Sequence, residues 1–180
     1  MLLKQGEKIA FGGVLAALCT VLVSATGLFP TLTYAIPALA GVLLVAAVIE
    51  IGKKEAFACY AVTAVLSLLL GTDKEAALLF VLLFGYYPTL KSLLDPIRSR
   101  PVQWGLKLLV ANAAMVLFYV LTVYVLGVPQ ESLSLLGVPL PLVILVLGNL
   151  VFLLYDRAIS GIAVLYVQRI HPVVLRIFRK

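Results

Sequence analysis

The chain has 180 residues, of which 63% are hydrophobic and 12% are charged, and its mean hydropathy is +1.16. Soluble domains are about 45–50% apolar and about 25% charged. The composition therefore excludes an ordinary soluble domain and indicates an integral membrane protein. We attribute the net charge of +6 to loops on one side of a membrane, and we expect no nucleic-acid partner.

Six apolar segments are long enough to predict transmembrane helices, because crossing the bilayer core takes about 20 residues. They comprise residues 9–29, 33–51, 55–71, 75–92, 105–127 and 141–167. Six spans occupy most of the chain, so we expect a single all-α domain, residues 1–180, of a polytopic membrane protein. The first segment is long enough to span, and we expect it to be retained rather than removed as a signal peptide.

The basic residues predict the orientation of these spans, because short cytoplasmic loops carry an excess of Lys and Arg. With six spans, 13 of the 14 basic residues lie on one side or lead toward it, and only Lys74 lies opposite. We therefore predict a multi-pass protein of the cell membrane with its N- and C-termini in the cytoplasm.

No arrangement of side chains in the sequence indicates catalysis. The one histidine, His171, stands beside Pro172, and no serine or cysteine lies next to a base. No cluster of acidic, His and Cys residues has the spacing of metal ligands. We expect no enzymatic activity, no metal site and no cofactor, and we assign Cys19 and Cys59 to helix packing.

Polar residues inside the predicted spans are the better functional candidates, because each is costly in hydrocarbon unless it faces the bundle or a wet cavity. Asn112 lies in the fifth span and Asn149 in the sixth. Asn149 precedes Asp156 and Arg157 by two helical turns, so these three residues share a face that should point inward. Two interpretations stay open. One is an interhelical hydrogen bond together with an intramembrane Asp156–Arg157 ion pair, and the other is a ligand-binding or coupling role.

Three tyrosines, Tyr34, Tyr119 and Tyr124, lie toward the outer ends of their spans. Tyrosine at a membrane interface is usually an anchor. Beside the long connection that precedes the sixth span, these rings are also suited to line an outward-open pocket that stacks on a flat ligand. We count them, with Asn112 and Asn149, as candidate substrate-binding residues.

Two further features are predicted in the cytoplasmic half. Glu50 ends the second span just before Lys53 and Lys54, which predicts an ionic clamp across a tight turn. In the fourth span, Pro88 follows a glycine and two tyrosines. Because proline removes one backbone hydrogen bond and crowds the preceding turn, we expect a kink there.

Small residues follow one another along the first span: Gly12, Gly13, Ala16, Ala17 and Thr20. Lipid tails are as apolar as leucine, so helices in a bilayer associate through small side chains that let their backbones approach closely. These residues therefore predict a docking surface for a membrane-embedded partner, for another copy of the chain, or for one of the other five helices.

The size of the chain, its six predicted helices with both ends inside, and its first span resemble a known family. In the first span, small residues stand four apart at Gly13 and Ala17, and at Gly12 and Ala16. In these respects the chain resembles the membrane-embedded substrate-binding (S) components of energy-coupling factor transporters. Glycine stands where that family typically has the first alanine.

The resemblance implies how such a protein would work. The first helix would dock onto a membrane coupling subunit that two cytoplasmic ATPases drive. The outer ends of the later helices would capture a vitamin-like nutrient, in a region that includes Tyr119, Tyr124, Asn149 and the segment Val128 to Pro141. The chain would have no ATPase activity of its own, in keeping with the lack of a phosphate-binding glycine loop in its sequence.

Two other functions remain open from the sequence. The first is a structural or assembly protein that binds a membrane partner through its small residues and transports nothing. The second is a small oligomeric transporter or channel, in which Asn112, Asn149, Asp156 and Arg157 line a shared path.

Overall fold

In the computed structural model, residues 4–127 and 140–178 are described, and every regular element among them is helical. The helices are α1 (Gln5–Ser24), α2 (Ala35–Glu50), α3 (Lys53–Leu70), α4 (Lys74–Leu79), α5 (Tyr87–Leu94), α6 (Arg100–Tyr124), α7 (Leu140–Leu165) and α8 (His171–Phe178). Two 3₁₀ turns, Ala25–Leu28 and Pro30–Leu32, join α1 to α2. A π-turn at Phe80–Phe84 follows α4, and another at Tyr166–Ile170 joins α7 to α8.

The all-helical membrane class is confirmed. Four helical stretches are long and apolar enough to cross a bilayer: Gln5–Leu28, Lys74–Leu94, Arg100–Tyr124 and Leu145–Val174. Among the other described helices, α2 is apolar but has only 16 residues, and α3 opens on three charged residues. The predicted outer connection, 128–141, lies outside the described residues apart from the start of α7.

The break predicted in the fourth span is confirmed. After α4 the helix continues as the π-turn, in which backbone hydrogen bonds join residues five apart. The last of these bonds runs from the Gly85 N–H to the Phe80 carbonyl at 2.7 Å. Regular helix begins again at Tyr87, and Pro88 lies in the first turn of α5, where a missing N–H costs least. The predicted span is thus two rods, α4 with its π-turn and α5, joined through Gly85 and Tyr86.

Specific contacts fix the N-terminal end of α4. The Asp73 carboxylate accepts a hydrogen bond from the Ala76 N–H at 3.0 Å, which caps the helix, and another from the Thr33 hydroxyl at 2.8 Å. This carboxylate therefore ties the α1–α2 connection to the start of α4.

Two apolar cores meet at α2. The first joins α1, α2 and α3 through residues such as Cys19, Leu44 and Ala56. The second joins α2, α5, α6 and α7 through residues such as Val45 and Phe152. Because α2 contributes neighbouring residues to both cores, it is the central helix of the bundle.

The last long helix, α7, crosses the bundle from one core to the other. Near its start Gly148 packs on Met115 of α6, and in its middle the Tyr155 hydroxyl donates to the Phe84 carbonyl at 3.2 Å. Gly41 of α2 lies against the same hydroxyl, and a Cβ at that position would overlap it. Tyr166, beyond its end, is buried in the first core.

Candidate functional site

The carboxylate of Asp156 accepts three hydrogen bonds at a single oxygen. Its Oδ1 atom lies 2.6 Å from the Tyr87 hydroxyl, 2.5 Å from Lys91 Nζ and 3.1 Å from Lys107 Nζ. The exposed fraction of the side chain is 8% for Lys91, 2% for Lys107 and 5% for Asp156. Charges buried this deeply are stable only when they are paired and hydrogen-bonded.

A second carboxylate, Asp95, completes the site at the protein surface. Its Oδ1 atom lies 2.7 Å from Lys107 Nζ and 2.9 Å from Gln103 Nε2, and its Oδ2 atom lies 3.4 Å from Lys91 Nζ. Unlike the other charged members, Asp95 keeps 44% of its side chain exposed. Two lysines and two aspartates balance in charge. We call Tyr87, Lys91, Asp95, Lys107 and Asp156 the ion cluster.

Three helices position the ion cluster. α5 contributes Tyr87 and Lys91, and Asp95 follows directly after its last residue. The three recur at intervals of four residues, which places them on one side. α6 contributes Lys107 and α7 contributes Asp156. The Lys107 ammonium lies 5.2 Å from the centre of the Trp104 ring, a cation–π contact, and the Tyr87 ring packs against Phe152 at 4.9 Å between centroids. Both ammonium groups and the phenol are directed at carboxylates of the cluster itself, so it acts as a junction between helices.

The predicted Asp156–Arg157 ion pair is wrong. Asp156 binds Lys91 and Lys107 instead, while Arg157 lies on the exposed side of α7. Neighbouring residues on an α-helix point about 100° apart, because 3.6 residues make one turn. When Asp156 faces the bundle, Arg157 is therefore turned away from it.

The two asparagines pair with each other. Asn112 Nδ2 donates to Asn149 Oδ1 at 3.1 Å, and Asn149 Nδ2 donates to Asn112 Oδ1 at 2.8 Å. Each amide also donates to the carbonyl four residues earlier in its own helix, at 2.8 Å for Leu108 and 2.6 Å for Leu145. This is the interhelical hydrogen bond of the first interpretation, and it joins α6 to α7 two helical turns from Asp156. A role of these amides in substrate binding stays a prediction.

The three tyrosines predicted at the outer ends of their spans differ in exposure and in hydrogen bonding. Tyr34 precedes α2, and its hydroxyl donates to Glu75 Oε1 at 2.9 Å. Partial burial, and then this hydrogen bond, raise the pKa of Tyr34 to about 12. Tyr124 is the last residue of α6 and is 75% exposed, while Tyr119 is half-buried. The segment that would cover a pocket beside them, 128–139, lies outside the described residues, so their substrate role stays a prediction.

The ionic clamp predicted between Glu50 and Lys53 or Lys54 is wrong, because Glu50 and Lys53 have other partners. Glu50 turns inward, where its Oε1 atom lies 2.9 Å from Nδ1 of His171. Lys53 reaches across to the Ser92 carbonyl at 2.8 Å. The C-terminal end of α2 is thereby tied to the start of α8, which lies 121 residues later in the chain.

Three of the small residues of α1 pack inside the protein. Gly12, Ala16 and Thr20 are buried, and we call them the inner row. The Gly12 carbonyl accepts a hydrogen bond from the Cys59 thiol at 3.5 Å, and the Ala16 carbonyl accepts one from the Thr63 hydroxyl at 3.4 Å. A Cβ on Gly12 would lie 2.9 Å from Cys59 Sγ, closer than carbon and sulfur approach without shifting. α3 of the same chain therefore occupies this part of the predicted docking surface.

Gly13 and Ala17 lie on another face of α1 and are exposed. Nothing lies within 4 Å of the position that a Cβ on Gly13 would take. Gly6 and Ala10 are exposed as well, and the four residues are spaced by four, three and four positions. That spacing keeps them on one side of the helix. We call Gly6, Ala10, Gly13 and Ala17 the outer row.

A shallow groove runs beside the outer row, between α1 and α3. It has a volume of about 310 Å³, and its lining includes Gly13, Ala58 and Val62. Lys8 and Glu55 also line it, with 3.9 Å between Nζ and Oε1. Gly13 belongs both to the outer row and to the lining of the groove, so the two surfaces adjoin there.

No family model, no curated protein and no solved structure matches the chain. The geometry of these surfaces therefore carries the functional argument. The fold and the sites together define an all-helical membrane protein with a buried ionic junction and a small-residue face that no helix among residues 4–127 and 140–178 covers.

The sequence contains a signal for the ion cluster that the prediction of six spans does not use. Tyr87, Lys91 and Asp95 recur every four residues, which is a polar stripe on one side of a helix. Lys107 stands seven residues into α6, within an otherwise apolar run. Asp156 is an acidic residue inside the last span, and an intramembrane carboxylate calls for a cationic partner on another helix.

Proposed function

We propose that this protein is the membrane-embedded substrate-capture subunit of a nutrient uptake transporter. In this proposal α1 docks onto a membrane coupling subunit that separate cytoplasmic ATPases drive, and the nutrient is a vitamin-like small molecule. The outer row is the observation that carries the proposal, because it is a close-packing surface of α1 that no helix of the described chain covers.

The division of α1 into two rows is the physical basis of the docking role. Helices in a bilayer gain little from hydrophobicity when they associate, and they rely on the close approach that small residues permit. The inner row already makes such a contact with α3. The outer row offers the same geometry to the lipid side, where a partner helix gains packing contacts that fluid acyl chains supply less well.

We further propose six spans with both termini in the cytoplasm. α2 and α3 are about 24 Å and 27 Å long at 1.5 Å per residue, close to the roughly 30 Å core of a bilayer. Lys91 and Lys107 belong to the ion cluster rather than to loops. Setting them aside, 11 of the other 12 basic residues still fall on one side, which supports this orientation.

The capture site belongs, in this proposal, at the outer ends of α6 and α7. Tyr119 and Tyr124 offer ring faces there, and the amides of Asn112 and Asn149 lie deeper between the same two helices. The paired amides have donors and acceptors that a polar ligand can share or replace. Docking would then occur on α1, at a distance from the captured molecule.

Affinity purification tests the docking half of the proposal. The tagged full-length protein, purified gently from its native membranes, should carry an ATPase-containing complex. Gly13→Leu combined with Ala17→Leu should remove that complex, because leucine side chains hold a partner backbone away from the outer row. The matched control is Ala113→Leu, an exposed alanine of α6, which should leave the complex intact.

Mass spectrometry of the same preparation tests the capture half. A small molecule should remain bound through purification from at least one growth condition. If neither an ATPase-containing complex nor a bound molecule is found over a panel of conditions, the proposal is wrong. Loss of a partner without any change in solute uptake would identify an assembly protein, and solute movement by the isolated protein in liposomes would identify a channel or transporter.

A further inference from the structure

α5 is held in the bundle by polar contacts along one face. Its stripe of Tyr87, Lys91 and Asp95 meets Asp156 of α7 and Lys107 of α6. The shortest of these bonds cross between helices: 2.6 Å and 2.5 Å to Asp156 Oδ1, and 2.7 Å from Asp95 to Lys107. The position of α5 against α6 and α7 therefore depends on the ion cluster, together with the packing of Tyr87 and Leu90 in the second core.

Regular α-helix is interrupted at both ends of α5. At its start, Gly85 and Tyr86 separate it from the π-turn, and Pro88 has no N–H to bond back into the preceding turn. At its end, Asp95 and Pro96 begin the connection to α6. α5 is thus a short helical segment between two interruptions, and hinges lie at the ends of such elements in other proteins.

The four charges of the ion cluster can pair in two ways. In the present arrangement Lys91 binds Asp156 and Lys107 binds Asp95. Two other pairs already lie close: Lys91 with Asp95, at 3.4 Å within α5, and Lys107 with Asp156, at 3.1 Å between α6 and α7.

In the second pairing, α5 with Asp95 has no net charge from the cluster, and neither does the rest of the bundle. If α5 moves away, it keeps Lys91 with Asp95, and the rest of the bundle keeps Lys107 with Asp156. No charge loses its partner, so the large penalty for an unpaired buried charge does not oppose the movement. What the movement loses is the short cross-helix bonds, the Tyr87 hydrogen bond and the packing of the buried Tyr87 ring on Phe152.

We propose that α5 is a hinged gate at the end of the bundle nearest Asp95, with two ionic states. In the closed state, seen here, the lysines and aspartates pair across helices. In the open state each aspartate pairs with the lysine of its own body. Asp95, which is partly exposed, lies at the edge where the gate would admit water. This inference stands independently of the proposed transport function, since it concerns only the described helices.

Exchanging charges within α5 tests the gate. In the double variant Lys91→Asp with Asp95→Lys, the pair inside α5 persists with its sign reversed. The cross-helix contacts, however, become aspartate against Asp156 and lysine against Lys107. The open state should therefore dominate. A second exchange, Lys107→Asp with Asp156→Lys, restores every attraction, so the quadruple variant is the matched control and should close again.

The readout is the distance between spin labels on the full-length protein in lipid nanodiscs. Suitable label sites are Leu93→Cys on α5 and Leu69→Cys on α3, which are exposed, whereas Cys19 and Cys59 are buried. The double variant should shift the main population by on the order of 5 Å, about one helical turn. The quadruple variant should return it to the original distance.

Two results would overturn the gate. One is an unchanged distance distribution in a folded double variant, and the other is a shift that the quadruple variant fails to reverse. If the double variant does not fold, Tyr87→Phe replaces it, because its hydroxyl bonds Asp156 only in the closed state. A folded Tyr87→Phe protein without a second distance population would also contradict the proposal.

Discussion

The α1–α3 contact and the ion cluster join helices of the same bundle by opposite means. Between α1 and α3 the inner row removes side-chain bulk, so that the backbone of Gly12 meets the Cys59 thiol directly. Between α5, α6 and α7, long side chains reach across larger gaps and meet at Asp156 Oδ1. The first contact depends on shape, and the second on charge balance.

The difference predicts which junction can rearrange. A close-packed interface has one good fit, and any displacement loses dispersion contacts on all sides. A cluster of two cations and two anions has more than one neutral pairing. We therefore expect α1 and α3 to move as a single body and the α5 junction to be the adaptable one.

Removing the central charge should have the largest effect on stability. Asp156→Asn leaves Lys91 and Lys107 with only Asp95 as a counter-ion, and breaking a buried pair costs about 3–5 kcal/mol. Reversible unfolding in lipid, for example by steric trapping, measures this loss. Arg157→Gln, one residue away on the exposed side, is the control and should leave the free energy of unfolding almost unchanged. Equal losses of stability in the two variants would show that the ion cluster contributes no more than an exposed charge.

Filling the close contact should have the next largest effect. Gly12→Leu forces a side chain into the position of Cys59 Sγ, and overpacking of this kind costs about 1–3 kcal/mol. Gly13→Leu, on the outer row, has open space and should leave the free energy of unfolding almost unchanged. If both variants are destabilised alike in the isolated protein, the assignment of the two rows to different faces is incorrect.

The paired amides should contribute less than either junction. A double-mutant cycle of Asn112→Leu and Asn149→Leu should give a coupling energy of about 0.6 kcal/mol, the average for hydrogen bonds between membrane helices. These hydrogen bonds join uncharged amides, so we expect them to stabilise the protein less than the ion cluster or the α1–α3 contact does. A coupling energy near zero would mean that the amides are not bonded to each other in the membrane.

The smallest effect is expected at the exposed periphery. Tyr34→Phe removes a hydrogen bond to Glu75 outside the core, and surface substitutions of this type stay within about 0.5 kcal/mol at neutral pH. The pKa of Tyr34 is raised from 10.0 to about 12, so the unfolded chain releases this proton first. Wild-type stability should accordingly fall more steeply than that of Tyr34→Phe as the pH rises from 10 toward 12. Parallel pH profiles of the two proteins would contradict the raised pKa.

Helix positions could be predicted from the sequence, because long apolar runs bounded by Gly, Pro and charged residues leave few alternatives. Each of the six predicted segments contains helix, and the break near Pro88 follows from proline chemistry alone. The π-turns could not be predicted, since one extra residue in a turn depends on how the rod packs against its neighbours.

The partners of the polar residues could not be predicted in the same way. Lys91 and Lys107 lie within one or two turns of predicted span ends, where a lysine usually extends to the cytoplasmic interface. Asp156 stands beside Arg157, which suggests a local pair. Only the packing of three helices shows that both lysines turn inward to Asp156 and that Arg157 does not.

The small residues of α1 illustrate a second limit. Gly12 with Ala16, and Gly13 with Ala17, have identical spacing, so the sequence gives no reason to prefer either pair as the docking surface. The choice depends on the rotation of α1 about its own axis, which contacts with α3 determine. Tertiary structure was needed to separate the inner row from the outer row.

The ion cluster also imposes an order on biosynthesis. Ribosomes make Lys91, Asp95 and Lys107 before Asp156, so until α7 is made the nascent protein has two lysines of the ion cluster for one aspartate. Because both lysines lie near span ends, their ammonium groups can extend to the membrane interface during this time. They can turn inward as a balanced cluster only after α7 supplies Asp156. Final assembly of the bundle is thereby linked to completion of its last long helix.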